Sequence, residues 1–229
     1  MKMDYEGVLQ RLKEERIRHN LSQRQISYQM RMMQSHYSKA EQGKKRFTYY
    51  EMQCLGETDL DIQYVYTGQR CTGKYKDFFL ECTYREAVCY VSIIYSLLTY
   101  LGQKDTAGKW SKMYKRIEYM KYILMTGREN ENVFFSIRQY LGYTQYKMAE
   151  LLGLDVKKLR ELENGRTLPD SEMIWKIYDL FHIPPSILLK DKKGLACELC
   201  SILEMSGEIA GEAIFRYLQT GHECLGEID

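Results

Sequence analysis

A stretch of this chain occurs twice in diverged form. LSQRQISYQMRMMQSHYSKAEQGKKR at 21–46 returns as YTQYKMAELLGLDVKKLRELENGRTL at 143–168, with a constant offset of 122 and no gap. Ser22 and Gln23 fall on Thr144 and Gln145, Ile26 on Met148, Met30 on Leu152, Tyr37 on Leu159, Glu41 on Glu163 and Gly43 on Gly165. Upstream, Leu12 and Arg16 fall on Phe134 and Arg138. Two copies at a domain-sized period report a duplicated folding unit, not a solenoid, which stacks several shorter repeats.

Each copy reads as two short helices joined by a turn. Ser22 followed three residues later by Gln25 is a capping-box start, after which Ile26 and Met30 line one apolar face. A second helix runs from about Gln34 to Gln42, with Tyr37 and Ala40 turned inward and Gln34, Ser35, Ser38 and Lys39 outward; Gly43 can adopt the left-handed conformation that stops it. In the second copy Gly153 occupies the turn and Asp155 can cap the following helix, whereas the first copy has Arg31 and Met33 there. The left-handed Arg31 and the missing cap each cost about 1 kcal/mol.

Composition limits the rest. A chain of 229 residues with 45% hydrophobic content can build packed cores, and three prolines amid abundant Leu, Glu, Lys, Gln, Arg and Met favour an all-α fold. The polar opening MKMDYEGVLQRLKEERIRHN has no signal-peptide pattern, so a cytoplasmic location is expected. Seven dispersed cysteines suit reduced thiols better than a disulfide framework. The overall charge of +2 hides a concentration: residues 11–46 hold 10 cations against the three acids Glu14, Glu15 and Glu41. A field of that kind selects a polyanion, although a solvated face explains it equally well on charge alone.

Leu12-x-x-x-Arg16, Leu21-Ser22-Gln23-x-x-Ile26-Ser27, Tyr37 and Glu41-x-Gly43-Lys44, with Arg138, Thr144-Gln145-x-x-Met148-Ala149, Leu159, Glu163-x-Gly165-Arg166 and Pro169, resemble the Cro/cI-like (XRE-type) helix-turn-helix regulators, twice over. The resemblance covers roughly 9–68 and 134–190. It implies two lambda-repressor-like five-helix domains at 1–70 and 134–191, joined by a helical connector at 71–133 and followed by a C-terminal helical tail at 192–229. It also implies that Arg16–Glu41 and Arg138–Glu163 are buried ion pairs locking the first helix of each copy to the third. Double-stranded DNA is the implied partner, and the implied role is a transcriptional regulator, a repressor.

In such a unit the third helix enters the major groove while the second helix and the following loop grip phosphates. Gln34 is then the candidate for bidentate readout of adenine, with Ser35, His36, Ser38 and Lys39 as further base or phosphate contacts. Gln23 and Arg24 face phosphate at the start of the second helix, and Lys44, Lys45 and Arg46 neutralise backbone charge after the glycine. The equivalent surface of the second copy is Gln145, Lys147, Lys157, Lys158, Arg160 and Arg166, diluted by Glu150, Asp155 and Glu161. A connector could hold the copies about 34–36 Å apart, on two half-sites along one face of the duplex. A homodimer through other helices is left open.

In the connector, 84–101 is uncharged from Ala87 onward, but the apolar run is shorter than the ~20 residues a membrane span needs and is studded with Ser and Tyr; a fully buried helix is expected. A second connector helix from about Trp110 to Met125 carries Met113, Ile117, Met120 and Ile123 at helical spacing. The tail places Leu195, Leu199, Ile202, Leu203, Ile209, Ala213, Phe215 and Leu218 on packing or dimerisation faces. Cys197-x-x-Cys200 with His222 and Cys224 is too loosely spaced to favour a metal, and no cofactor is implied. No phosphate-cradling glycine loop or catalytic signature occurs, so an enzyme is the weakest reading. The main competitor is a sensing or interaction protein whose repeats serve as scaffold.

Overall fold

The computed structural model describes residues 4–102, 111–126 and 133–226, and all their regular structure is helical. The helices are α1 (Tyr5–Arg18), α2 (Gln23–Gln29), α3 (Gln34–Glu41), α4 (Tyr49–Gly56), α5 (Ile62–Thr67), α6 (Lys76–Glu81), α7 (Tyr84–Gly102), α8 (Ser111–Thr126), α9 (Val133–Tyr140), α10 (Gln145–Leu152), α11 (Val156–Glu163), α12 (Ser171–Phe181), α13 (Pro185–Leu189), α14 (Lys192–Met205) and α15 (Glu208–Gly226). Two compact units result. The first combines α1–α5 with α9–α13; the second combines α6–α8 with α14 from Leu195 onward and α15.

The duplication in the first unit extends to backbone conformation. Shifted by 122, α3 coincides with α11 residue for residue. Left-handed residues also recur in register: Asn20 (φ 55°) with Gly142 (66°), Arg31 (54°) with Gly153 (67°), Gly43 (74°) with Gly165 (66°), and Gly68 (72°) with Lys190 (54°). Three non-glycine residues among these bear the steric strain that their glycine equivalents avoid. Ser22 closes a reciprocal capping box with Gln25. Asp155 accepts from the Lys158 N–H at 2.7 Å, while Met33, its equivalent, caps nothing and is exposed. Met33→Ser is therefore expected to stabilise the protein by about 1 kcal/mol in urea denaturation.

The two copies dock directly on each other. α5 lies against α13, α4 against α13 and α1 against α12. The seam buries Ile62, Val65, Ile187 and Leu188, and polar bonds cross it. The Tyr49 hydroxyl donates to the Leu188 carbonyl at 2.9 Å, Gln53 Nε2 to the Leu189 carbonyl at 3.3 Å, and the Tyr66 hydroxyl to the Ser171 carbonyl at 3.2 Å. The Ser171 Oγ meets the Tyr5 hydroxyl and accepts the Phe47 N–H at 3.2 Å, and burial pushes the Tyr5 hydroxyl up to about 12. Arg46 spans the same seam, bonded to Glu172 with its guanidinium 5.0 Å from the Tyr5 ring centroid.

One carboxylate of the first copy, Glu15, has no acidic counterpart in the second. Glu15 is completely buried, where its equivalent is the buried Ile137. It accepts from Arg18 at 2.8 and 3.0 Å, from the Asp61 N–H at 3.2 Å and from Arg70, whose guanidinium lies 3.6 Å over the Tyr64 ring. Burial raises its pKa, but the Arg70 and Arg18 bonds together with the Asp61 amide outweigh it and hold the carboxyl at about 2, below the ordinary 4.5. A depressed carboxyl stabilises the fold above its unfolded pKa, and that stability is lost as the pH falls. About 3 kcal/mol should therefore disappear between pH 5 and 2. Urea unfolding across that range should show the Glu15→Gln variant losing less than the parent protein.

In the second unit, α7 is not the fully buried helix expected: Ala87, Tyr90, Val91, Ile94 and Leu98 form one buried stripe, while Cys89, Ser96 and Tyr100 are exposed. Its many hydroxyl-bearing residues make it amphipathic, and it packs against α8 through Met113, Ile117, Met120 and Ile123. Trp110, expected to open that second connector helix, lies outside the described residues. No described helix is long and apolar enough to cross a membrane.

The buried face of α15 is also rotated from expectation. Ile209 is 89% exposed and Ala213 is exposed, while Ile214 and Leu218 are buried and Phe215 packs its ring against Tyr75 and Phe78. Gly211 explains this, because a Cβ there would lie 2.4 Å from the Leu203 carbonyl oxygen. Only glycine allows that approach, and it fixes 211, 214, 215 and 218 as the inward face. His222 shares a hydrogen bond of 2.9 Å with the Tyr90 hydroxyl, and the Cys224 side chain lies outside the described residues. Cys71, Cys197 and Cys200 are free thiols, and hydrogen bonds from Cys197 and Cys200 hold the Cys71 pKa below the ordinary thiol range.

Candidate nucleic-acid interface

One face of α3 is open to solvent. Gln34, Ser35 and Lys39 are exposed, while Tyr37 and Ala40 behind them are fully buried. The spacing thus puts a polar, uncommitted face outward and an apolar anchor inward. Past the end of α3, Gly43 turns the chain and Lys44 and Lys45 project outward, exposed and without an ion pair among the described residues. Arg24, near the start of α2, is exposed as well. Ser38 is half-buried, its hydroxyl accepting from Gln42 Nε2 at 3.3 Å.

α3 is held by a buried ion pair. Arg16 Nε donates to Glu41 Oε1 at 2.7 Å and Nη2 to Oε2 at 3.2 Å, while Nη1 reaches the Leu21 carbonyl at 2.7 Å. The Tyr37 hydroxyl adds a bond to Glu41 at 3.1 Å. Burial alone would raise the Glu41 pKa, but donors from Arg16 and Gln23 more than reverse this and lower it. The second copy repeats the arrangement: Arg138 bonds both oxygens of Glu163, and its Nη1 reaches the Tyr143 carbonyl at 3.1 Å. α1 and α9 thereby fix the angle at which α3 and α11 are presented.

Several side chains assigned to DNA from the sequence are engaged within the protein. Gln23 Nε2 donates to Glu41 at 2.6 Å, and Gln145 Nε2 to Glu163 at 2.9 Å. Both amides therefore complete the carboxylate cage instead of pointing their donors outward. His36 is half-buried with Nδ1 3.4 Å from Glu51 of α4, because its place on α3 faces that helix. Arg46 is bound across the seam to Glu172. In the second copy Lys147 pairs with Glu150 at 3.0 Å and Arg160 Nε donates to Gln145 Oε1 at 2.9 Å. Lys157, Lys158 and Arg166 are exposed. What the structure brings together is Gln34, Ser35, Lys39, Lys44 and Lys45 around α3, and Lys157, Lys158, Arg160 and Arg166 around α11.

Two apolar side chains beside these surfaces are exposed. Met33, 74% exposed, precedes α3, and Tyr146, 75% exposed, lies in the first turn of α10. Their equivalents, Asp155 and Arg24, are polar, so alignment of the copies was the available signal.

Residues 136–188 match the family model described as Helix-turn-helix. They form a helix-turn-helix domain. The match spans α10 and α11 with the helices that support them, and it supports a DNA-binding transcription regulator. No curated protein and no solved structure matched the chain.

Proposed function

We propose that the protein is a sequence-specific DNA-binding regulator, acting as a repressor, and that its N-terminal copy is a second helix-turn-helix that reads the major groove with α3. The observation that carries this reading is the pairing of an exposed polar α3 face with the uncommitted Lys44 and Lys45 beyond Gly43. Gln34 offers both an amide donor and an acceptor, the pair that adenine N7 and N6 present in the major groove. Lys39, Lys44, Lys45 and Arg24 neutralise phosphates and so supply salt-dependent affinity. Gln23 acts indirectly, holding Glu41 while the N-terminus of α2 faces the backbone. In the second copy Arg166 takes the place of Lys44, while Lys157, Lys158 and Arg160 stand where α3 has Ser35, His36 and Ser38, which gives α11 more cationic and fewer amide groups.

Selection of bound fragments from genomic DNA by the purified chain at moderate salt tests this reading. A recovered consensus with base preferences supports it; a featureless, weak profile favours the scaffold reading of the repeats.

A further inference from the structure

Residues 122 apart are equivalents, and the seam between the copies obeys a reciprocal rule in those terms. Tyr49 is equivalent to Ser171, and Tyr66 to Leu188. Tyr49 bonds Leu188 and Tyr66 bonds Ser171. Position 49 of one copy thus meets position 66 of the other, and the reverse also holds. Both hydroxyls come from the first copy, but the pairing of positions is symmetric. A head-to-tail relation would join one such pair and leave the other on opposite outer surfaces, whereas a two-fold axis forms both. α5 provides a second sign. It packs against α13, and 62–67 shifted by 122 is 184–189, so an element touches its own equivalent, as elements beside a two-fold axis do. The rim departs from symmetry: the Arg46–Glu172 pair corresponds to Leu168 and Tyr50, both exposed.

We infer that one chain is an internal dimer: the reciprocal seam of α4, α5, α12 and α13 presents α3 and α11 as an inverted pair, and the DNA they read carries two inverted, non-identical half-sites. This rests on the proposed reading of α3. Inverted reading helices match the two-fold axis of the duplex itself, with half-sites about one helical turn apart. The halves differ because the readers differ. Gln34 selects adenine in one half; Lys157, equivalent to Ser35, selects guanine in the other. A homodimer of identical copies demands a palindrome and two chains, whereas this chain takes an imperfect palindrome alone.

The test uses the full chain and a duplex enriched from a random library, with stoichiometry read by native mass spectrometry. One chain per duplex is expected, on two inverted and unlike halves. Turning one half around should weaken binding roughly 100-fold. Gln34→Ala should cost about tenfold and relax one half only, and Lys157→Ala should do the same in the other half; both side chains are exposed, and an unchanged thermal midpoint verifies folding. Equal binding to a direct repeat, enrichment of a single half, or two chains on a true palindrome would overturn the internal dimer while leaving DNA binding intact. Enrichment of no sequence at all would remove the reading of α3 and this inference with it.

Discussion

Replacing Lys44 and Lys45 together by glutamate is expected to weaken duplex binding roughly 100-fold at about 0.15 M salt and to flatten the salt dependence by about two units of slope. These lysines follow the left-handed Gly43, lie in the open and have no internal partner among the described residues, so their positive charge is available to phosphate. The same reversal at Lys157 and Lys158 should do less, about 30-fold, because Glu150, Asp155 and Glu161 already dilute the field around α11. Salt-titrated fluorescence anisotropy with both double variants checks the order. Equal losses would overturn the ranking of the two copies. Neither variant should unfold, since surface substitutions of this kind shift stability by about 0.5 kcal/mol or less.

Glu41→Ala is expected to cost about 3–5 kcal/mol of stability, because it strands the Arg16 guanidinium in a site with little access to water. It also removes the acceptor for Gln23 and Tyr37. Chemical denaturation followed by circular dichroism should show the loss, and Lys39→Ala, on the same helix but exposed, should show almost none. The effect should shrink in acid. The parent protein's Glu41 pKa is lowered in the folded state, so its contribution is present at neutral pH and fades as protonation removes the charge. A loss at pH 7 no larger than that of Lys39→Ala would mean that the ion pair does not hold α3 in place.

The parts of this fold that were legible in the sequence are those set by local chemistry and repeated. Gly153 and Arg31 share a left-handed turn, Ser22 and Asp155 cap helices, and Met33 does not; each follows from a few neighbouring residues read against their equivalents. Beyond Arg16–Glu41 and Arg138–Glu163, which the family resemblance implies, side-chain partners remote in sequence were not legible. Nothing near Arg46 indicates Glu172, 126 residues away, and nothing near His36 indicates that α4 would turn Glu51 toward it. The docking of the copies was hidden for another reason. Tyr49, Gln53 and Tyr66 all donate to backbone carbonyls, and a carbonyl leaves no mark on the sequence. The rotated face of α15 likewise depends on how closely Gly211 approaches Leu203, a tertiary fact that periodicity alone could not supply.

The central claim is that α3 lies in the major groove with Gln34 against an adenine. Replacing that adenine by 7-deazaadenine in the enriched duplex removes the N7 acceptor and leaves the minor groove unchanged. The account predicts about a tenfold loss of affinity for the parent protein and no further loss for Gln34→Ala, which has already lost the contact. Undiminished binding by the parent protein, or equal losses for the two proteins, would contradict it.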